Sequence, residues 1–570
     1  MRPKIDAGLA GTLTAAIPPR LIKRLDAEPL LADRWTWAAT TVTTDKGEAV
    51  TFVVEDDVIT SLACSCLLSP KCLHVAAVVT LLEPAGAAAP ATPTIAAAPT
   101  DVTVEITGDA RVAAGKAFRA VSDVLAGGAE ASGAFAQAEL LRAIHACRTA
   151  SLHRLASGLT RMLRSIRDLR ADKPEFALET LTGDLRDVLA VAHALSTGDS
   201  RAELVGTARR EYFAAGSLKL RGVLTEAVVA RSGYAGAVTY LIDDKGRMYS
   251  RSDVAAGDAG RAAGAYDAAA GIGDAVLPHR ELCRTGLFVS DATASADGRL
   301  GAGQKVRAVR STEPSRWDTE PLASRFAQPI AEQLARIAEH DASPDELRPA
   351  GWDFLYLEGT LISGPGGVAM VAQHGIPVRL TTPLEQQALA ARDNLVILAR
   401  ASGFAVRAIG RVRVGTARQV DLLALGPAPT ETRLVFPDAW HGRANLAFDR
   451  LSVSRQDAAS ERKLEIAPAP PTADLLAALR RRVERAVLGG AGTLPTHAIG
   501  ELEREAAQLS ERSLRSGAEV MRDLAALAHD AGRGATGARR RIDHEAFARA
   551  WLRAALYEDA ARRRLGVASW

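Results

Sequence analysis

A chain of 570 residues is longer than one hydrophobic core usually serves, so several domains are expected. With 48% hydrophobic and 24% charged residues it has the balance of an ordinary folded protein, and a net charge of +3 is too mild to imply nucleic acid by itself. No apolar run reaches the roughly 18 residues that a membrane span requires, and Asp6 interrupts the short apolar stretch behind the basic N-terminus, which argues against a signal peptide and for a cytoplasmic protein with no membrane contact.

In chain order, residues 1–84 read as a small unit. Trp35 to Thr44, Ala49 to Val54 and Val58 to Ala63 have the composition of strands, separated by turns at Lys46-Gly47 and Glu55-Asp56-Asp57. Val75 to Leu82 reads as a short buried helix. Residues 85–100 are almost wholly Ala, Pro, Thr and Gly, the composition of a linker. Residues 101–205 form a helical domain: Leu155, Leu159, Met162, Leu163, Ile166 and Leu169 recur at helical spacing, Pro174 stops that helix, and Leu178 to Leu195 gives another.

Strand signals then take over in a β-rich domain at 206–312. Val238 to Ile242 leads through a turn at Asp243 to Gly246 into Arg247 to Ser250, and Gly286 to Val289 and Val306 to Val309 follow. A second β-rich domain at 313–465 starts with a helical stretch, 321–341, and repeats a related order: Phe354 to Ile362, a turn at Gly364 to Gly367, Val368 to Val371, then Phe404 to Arg407 and Val420 to Leu423. This order suggests a diverged pair. Residues 466–570 are a helical C-terminal domain, divided at Gly489 to Gly492 and at Gly532-Arg533-Gly534. The fold class is α+β, multidomain.

The sharpest chemical signal lies at the end of the third N-terminal strand: Cys64-Ser65-Cys66, five residues, then Cys72-Leu73-His74. The remaining cysteines, Cys147 and Cys283, are isolated, so the set is no disulfide framework. Three thiolates and one imidazole complete a tetrahedral donor set for Zn²⁺ and leave no position for a water, the signature of a structural rather than a catalytic metal. Such an ion would stabilise a unit too small for a core of its own.

Cys-x-Cys, a short gap and Cys-x-His, with strands before and a helix after, resembles the SWIM-type zinc finger over residues 35–85. The resemblance implies a small zinc-binding ββα finger that binds DNA or proteins. The layout of the chain is similar to bacterial SWIM zinc finger proteins, some encoded near AAA-type ATPases, which implies an adaptor role with an ATPase among the candidate partners.

Residues 1–84 carry eight Lys or Arg against ten Asp or Glu, a poor match to phosphate. Arg20, Lys23 and Arg24 cluster, and Trp35 and Trp37 could stack on bases or simply pack. Arg161, Arg164, Arg167 and Arg170 make a basic stripe along a helix, and Arg539 to Arg541 and Arg562 to Arg564 are further basic runs; each reads as a solvated face or as a contact for phosphates or an acidic partner. His145, Cys147 and His153 are too few for a second metal site. Cys283 with His279, Ser460 with Lys463, and Gly532, Gly534 and Gly537 match fragments of catalytic or nucleotide motifs without their context. No phosphate-loop, His-Glu-x-x-His or Gly-x-Ser-x-Gly motif occurs. Three readings follow: a non-enzymatic protein-protein adaptor, a nucleic-acid-binding protein using the finger and the arginine stripes, or an enzyme hidden in the β-rich half. Oligomeric state is not specified by the sequence.

Overall fold

The computed structural model describes residues 3–6, 9, 13, 21, 31–55, 57–79, 81–82, 84–85, 103–208, 210–303, 305–341, 343–364, 367–400, 402–412, 418–452, 475–494, 499–529 and 542–570. The Ala/Pro-rich linker, for the most part, and Arg20, Lys23, Arg24, Ser460, Lys463, Gly532 to Gly537 and Arg539 to Arg541 lie outside these. Among the described residues no helix is long and apolar enough to cross a membrane. The fold is α+β and multidomain.

The N-terminal unit is a six-stranded sheet: β1 (Lys4–Asp6), β2 (Thr36–Trp37), β3 (Thr41–Thr43), β4 (Ala49–Glu55), β5 (Val58–Cys64) and β6 (Pro84–Ala85), in the order 2-3-4-5-1-6. Period-two alternation points Val50 and Phe52 of β4 to the core and Thr51 and Val53 outward; in β5 a bulge at Thr60 lets Ile59 and Leu62, three positions apart, both face the core, with Ala63 outward. Helix α1 (Leu73–Val79) covers the inner face with Val75, Ala76, Val78 and Val79. The sequence suggests one strand from Trp35 to Thr44; it is split into β2 and β3, because Ala38 N–H bonds to Thr41 C=O and closes a tight turn. Strand β1, parallel to β5, has no counterpart in the sequence reading.

The helical body contains α2 (Gly108–Gly127), α3 (Ala134–Thr149), α4 (His153–Arg170), α5 (Leu178–Ser196), α6 (Ala202–Val205) and, from the far end of the chain, α12 (Ala477–Gly489), α13 (Ile499–Glu511), α14 (Arg515–His529) and α15 (His544–Ala568). The sequence divides these helices between two domains, yet one hydrophobic core joins them: Leu125, Leu159 and Leu189 share it with Val483, Phe547 and Trp551. Two glycines permit the closest approach. Gly128 and Gly490 both have positive φ, and a Cβ on Gly128 would sit 2.5 Å from the Gly489 carbonyl carbon. The chains also exchange backbone bonds there, Ala129 N–H to Val487 C=O at 2.8 Å.

The β-rich body has two halves with one topology. In the first, β7 (Phe213–Ala230), β8 (Tyr234–Asp243) and β9 (Met248–Ala256) are followed by α7 (Ala259–Asp267), a small hairpin of β10 (Ala269–Ile272) and β11 (Ala275–Pro278), α8 (His279–Leu282), β12 (Thr285–Ala294) and β13 (Arg307–Pro314), in sheet order 13-12-7-8-9. Helices α9 (Leu322–Ala327) and α10 (Ile330–Asp341) lead to the second half. There, β14 (Phe354–Gly364), β15 (Gly367–Ala372) and β16 (Pro377–Thr381) are followed by α11 (Ala391–Leu398), β17 (Ala405–Val412), β18 (Gln419–Pro427) and β19 (Ala444–Asn445), in order 16-15-14-17-18-19. In both, three meandering strands, a helix and two further strands occupy the same sheet positions, and each sheet curls shut through a parallel contact, Ser250 with Arg299 and Arg379 with Gln419.

The halves share a core built from Leu224, Tyr240 and Ile242 on one side and Phe354, Tyr356 and Ile409 on the other. Through it runs a buried ion network: Arg411 pairs with Glu226 at 3.1 Å and Asp353 at 2.6 Å, and Tyr240 donates to Glu226 at 2.7 Å. The last turn of α15 docks on this body. Arg563 pairs with Asp341 at 2.6 Å, and Val567 and Trp570 pack on the second half's core.

Candidate metal centre

Strand β5 ends at Cys64, whose N–H donates to Ser69 Oγ at 3.0 Å, and the loop turns through Ser69 N–H to Cys66 C=O at 3.2 Å. Cys72 and His74 then flank the start of α1. The loop thus folds Cys66 back beside Cys64 and brings the helix start to both. One ligand atom from each of Cys64, Cys66, Cys72 and His74 lies within 4.8 Å of the others, a cluster that could hold a metal ion. Cys64 Sγ stands 3.6 Å from His74 Nδ1. A tetrahedron with metal–sulfur bonds of about 2.3 Å has edges of about 3.8 Å, so the donors fit one ion with small adjustments.

The surroundings favour bound thiolates. Cys66 N–H points at Cys64 Sγ at 3.5 Å and Val75 N–H at Cys72 Sγ at 3.4 Å, donors that stabilise negative sulfur. With no metal charge, burial pushes the Cys64 thiol up to about 12 and raises Cys72. At Cys66 burial also acts upward, but the Leu68 N–H and the neighbouring thiols outweigh it and hold the group below its ordinary value. Trp35, buried, sets its ring edge-on to His74 at 5.8 Å. Trp37 donates Nε1–H to Ala32 C=O at 2.8 Å and leans on Phe52, so both tryptophans serve packing.

The other residues singled out in the sequence are dispersed. Cys147 is buried in α3, its thiol raised to about 11 by burial, while His145 is exposed on the same helix. Cys283 is buried and accepts from Asn445 Nδ2 at 3.4 Å, whereas His279 turns its Nδ1 to Thr239 Oγ1 at 2.7 Å, so thiol and imidazole have separate partners. In the stripe on α4, Arg161 pairs with Asp184 at 2.8 Å, Arg167 donates to Gln137 Oε1 at 3.2 Å and Arg170 donates to Glu130 C=O at 2.5 Å. Near the C-terminus Arg562 and Arg563 both pair with Asp559.

Sequence reasoning passed over two polar constellations in the β-rich body, because their members are scattered over more than 180 positions. One is the Glu226–Arg411–Asp353 network. Its Glu226 and Arg411 line a cleft between the halves together with Leu384, Asp421 and Leu422. The other joins Arg284 to Asp449 at 2.6 Å, with Tyr266, Asn445 and the fully buried Arg443 around them. Comparison with known proteins yields no match to this chain among family models, curated proteins or solved structures.

Proposed function

We propose that Cys64, Cys66, Cys72 and His74 hold one structural Zn²⁺ in a SWIM-type finger, and that the chain is a non-enzymatic adaptor binding a protein partner. The closed Cys₃His set carries this reading. Thiolate and imidazole donors select zinc among common ions, and four protein ligands fill a tetrahedron with no place for substrate or water. The engagement of Arg161 and Arg170 by groups of the protein itself weighs for a protein partner over phosphate.

The test is purification of the full chain from its native cell with zinc quantified in the same sample and a nuclease-treated arm. One zinc per chain and a nuclease-resistant protein partner support the reading. A metal-free chain, or partners lost with the nucleic acid, refutes it.

A further inference from the structure

The metal loop exposes two leucines at its tip. Leu67 is 104% exposed and Leu68 62%, while Val50, Phe52, Ile59 and Leu62 of the same unit are buried. The loop holding them is pinned, with Cys66 and Cys72 at its ends, Ser69 bonded back to Cys66 and to Cys64, and the Leu68 N–H turned to the Cys66 sulfur. A pinned apolar tip loses little conformational freedom when it binds, the condition for an efficient anchor.

Charge around the tip restricts what can cover it. From Val58 to Leu82 there is no Asp or Glu, and Lys71 is the one Lys or Arg; the turn beside Ser65 and His74 adds Lys46 and Glu48, one charge of each sign. Three thiolates, one Zn²⁺ and a neutral imidazole sum to one negative charge, which Lys71 offsets. The outward face of the adjoining strands continues the tip with Thr51, Val53, Ala63 and Ser65, all exposed and uncharged. A neutral tip complements a neutral apolar pocket. It lacks the several cations that phosphate backbones or anionic lipid surfaces demand.

We infer that Leu67 and Leu68 are the anchor by which the finger docks into an uncharged apolar pocket of a partner protein. This rests on the metal-module reading above, since zinc fixes the loop.

The experiment places a diazirine leucine analogue at position 67 of the full chain in its native cell, with the same group at Val435, exposed on the β-rich body, as control, and measures zinc in the recovered protein. The expected result is adducts to one protein, mapped to a peptide lining an apolar pocket without a basic cluster. Leu68→Asp should lower their yield at least about tenfold, the loss of one buried leucine. Adducts to lipid, to nucleic acid, to a second copy of the chain, or spread over many proteins overturn the docking proposal, as does a zinc-loaded chain with no adduct beyond the Val435 control. A chain without zinc overturns the metal reading itself.

Discussion

Replacing Cys72 with serine tests the metal centre where its coupling to the fold is tightest. Cys72 is 2% exposed, begins the turn into α1 and accepts the Val75 N–H, so it belongs to both the donor set and the inner face. Structural zinc contributes about 10–16 kcal/mol of apparent binding free energy in small modules near neutral pH, so an even share for one of four ligands is about 3 kcal/mol. That is a loss of affinity of roughly 100-fold or more. The unit behind it is small, with a core drawn from one sheet face, five buried residues of α1 and a few flanking residues such as Ala32 and Trp35, and small units depend on such cross-links. Chelator competition should therefore show the weaker site in Cys72→Ser, and hydrogen exchange should show β5 and α1 losing protection together. The helical body, whose core contains no residue of this unit, should keep its protection. A Cys72→Ser chain that binds zinc within threefold of the parent and keeps β5 protected would refute the ligand assignment.

Three further outcomes follow from other parts of the molecule. Asp449 accepts from Arg284 at 2.6 Å, from Tyr266 at 2.9 Å and from the Asn445 N–H at 2.6 Å. Asp449→Ala leaves a buried guanidinium without its anion and should destabilise the β-rich body by about 3–5 kcal/mol in denaturant melts. Burial lowers the His279 imidazole to about 4 from an ordinary 6.5. Between these values the unfolded chain takes a proton that the folded one refuses, so stability is intact above pH 6.5 and falls by up to about 3 kcal/mol as pH drops to 4. In His279→Gln the slope over that window should flatten. Finally, Trp551 is fully buried and donates Nε1–H to Val483 C=O at 3.0 Å in the core shared by both ends of the chain. Trp551→Ala should cost about 3–5 kcal/mol in the helical body, and a fragment ending at residue 205 should fail to give a cooperative thermal melt by circular dichroism.

The four candidate donors were legible because ligation demands particular atoms at particular spacings, and the fold brings those atoms within 4.8 Å of one another. Cys64, Cys66, Cys72 and His74 announce themselves in eleven consecutive positions. Helix α4 was legible because its apolar residues recur at helical spacing, and strands β8, β12, β14 and β18 because each holds a short β-branched and apolar run near turn residues. Strand β7, at 18 residues the longest, is absent from the sequence reading. Its inner end is buried almost continuously from Leu220 to Ala227, but Arg221, Gly222, Thr225 and Glu226 break the apolar run, so neither alternation nor an unbroken apolar stretch marks it. Nor did any pattern announce that residues 106–204 and 476–555 share a core. An apolar helix face says that it will be covered, not by what.

The repeated topology of the β-rich body follows the same logic one level up. Its halves agree in strand order and in the parallel contact that closes each sheet, but they differ in everything a sequence comparison weighs. The first half inserts the β10–β11 hairpin and a loop before β13, and β14 is seven residues shorter than β7. What holds the halves together is not repeated either. Arg411 of the second half is claimed by Glu226 of the first and Asp353 of its own. Arg443 donates to the Ser315 and Cys283 carbonyls of the first half. Each guanidinium completes its set of partners only when the halves meet in one orientation, whereas the apolar contacts around Tyr240 and Phe354 would tolerate several. The duplication thus supplies two sheets with inward faces, and a few arginines that differ between them select one way of pairing. The β-rich body is clasped to the helical body by Arg563 and Trp570, while the N-terminal unit that carries Leu67 and Leu68 has a core of its own.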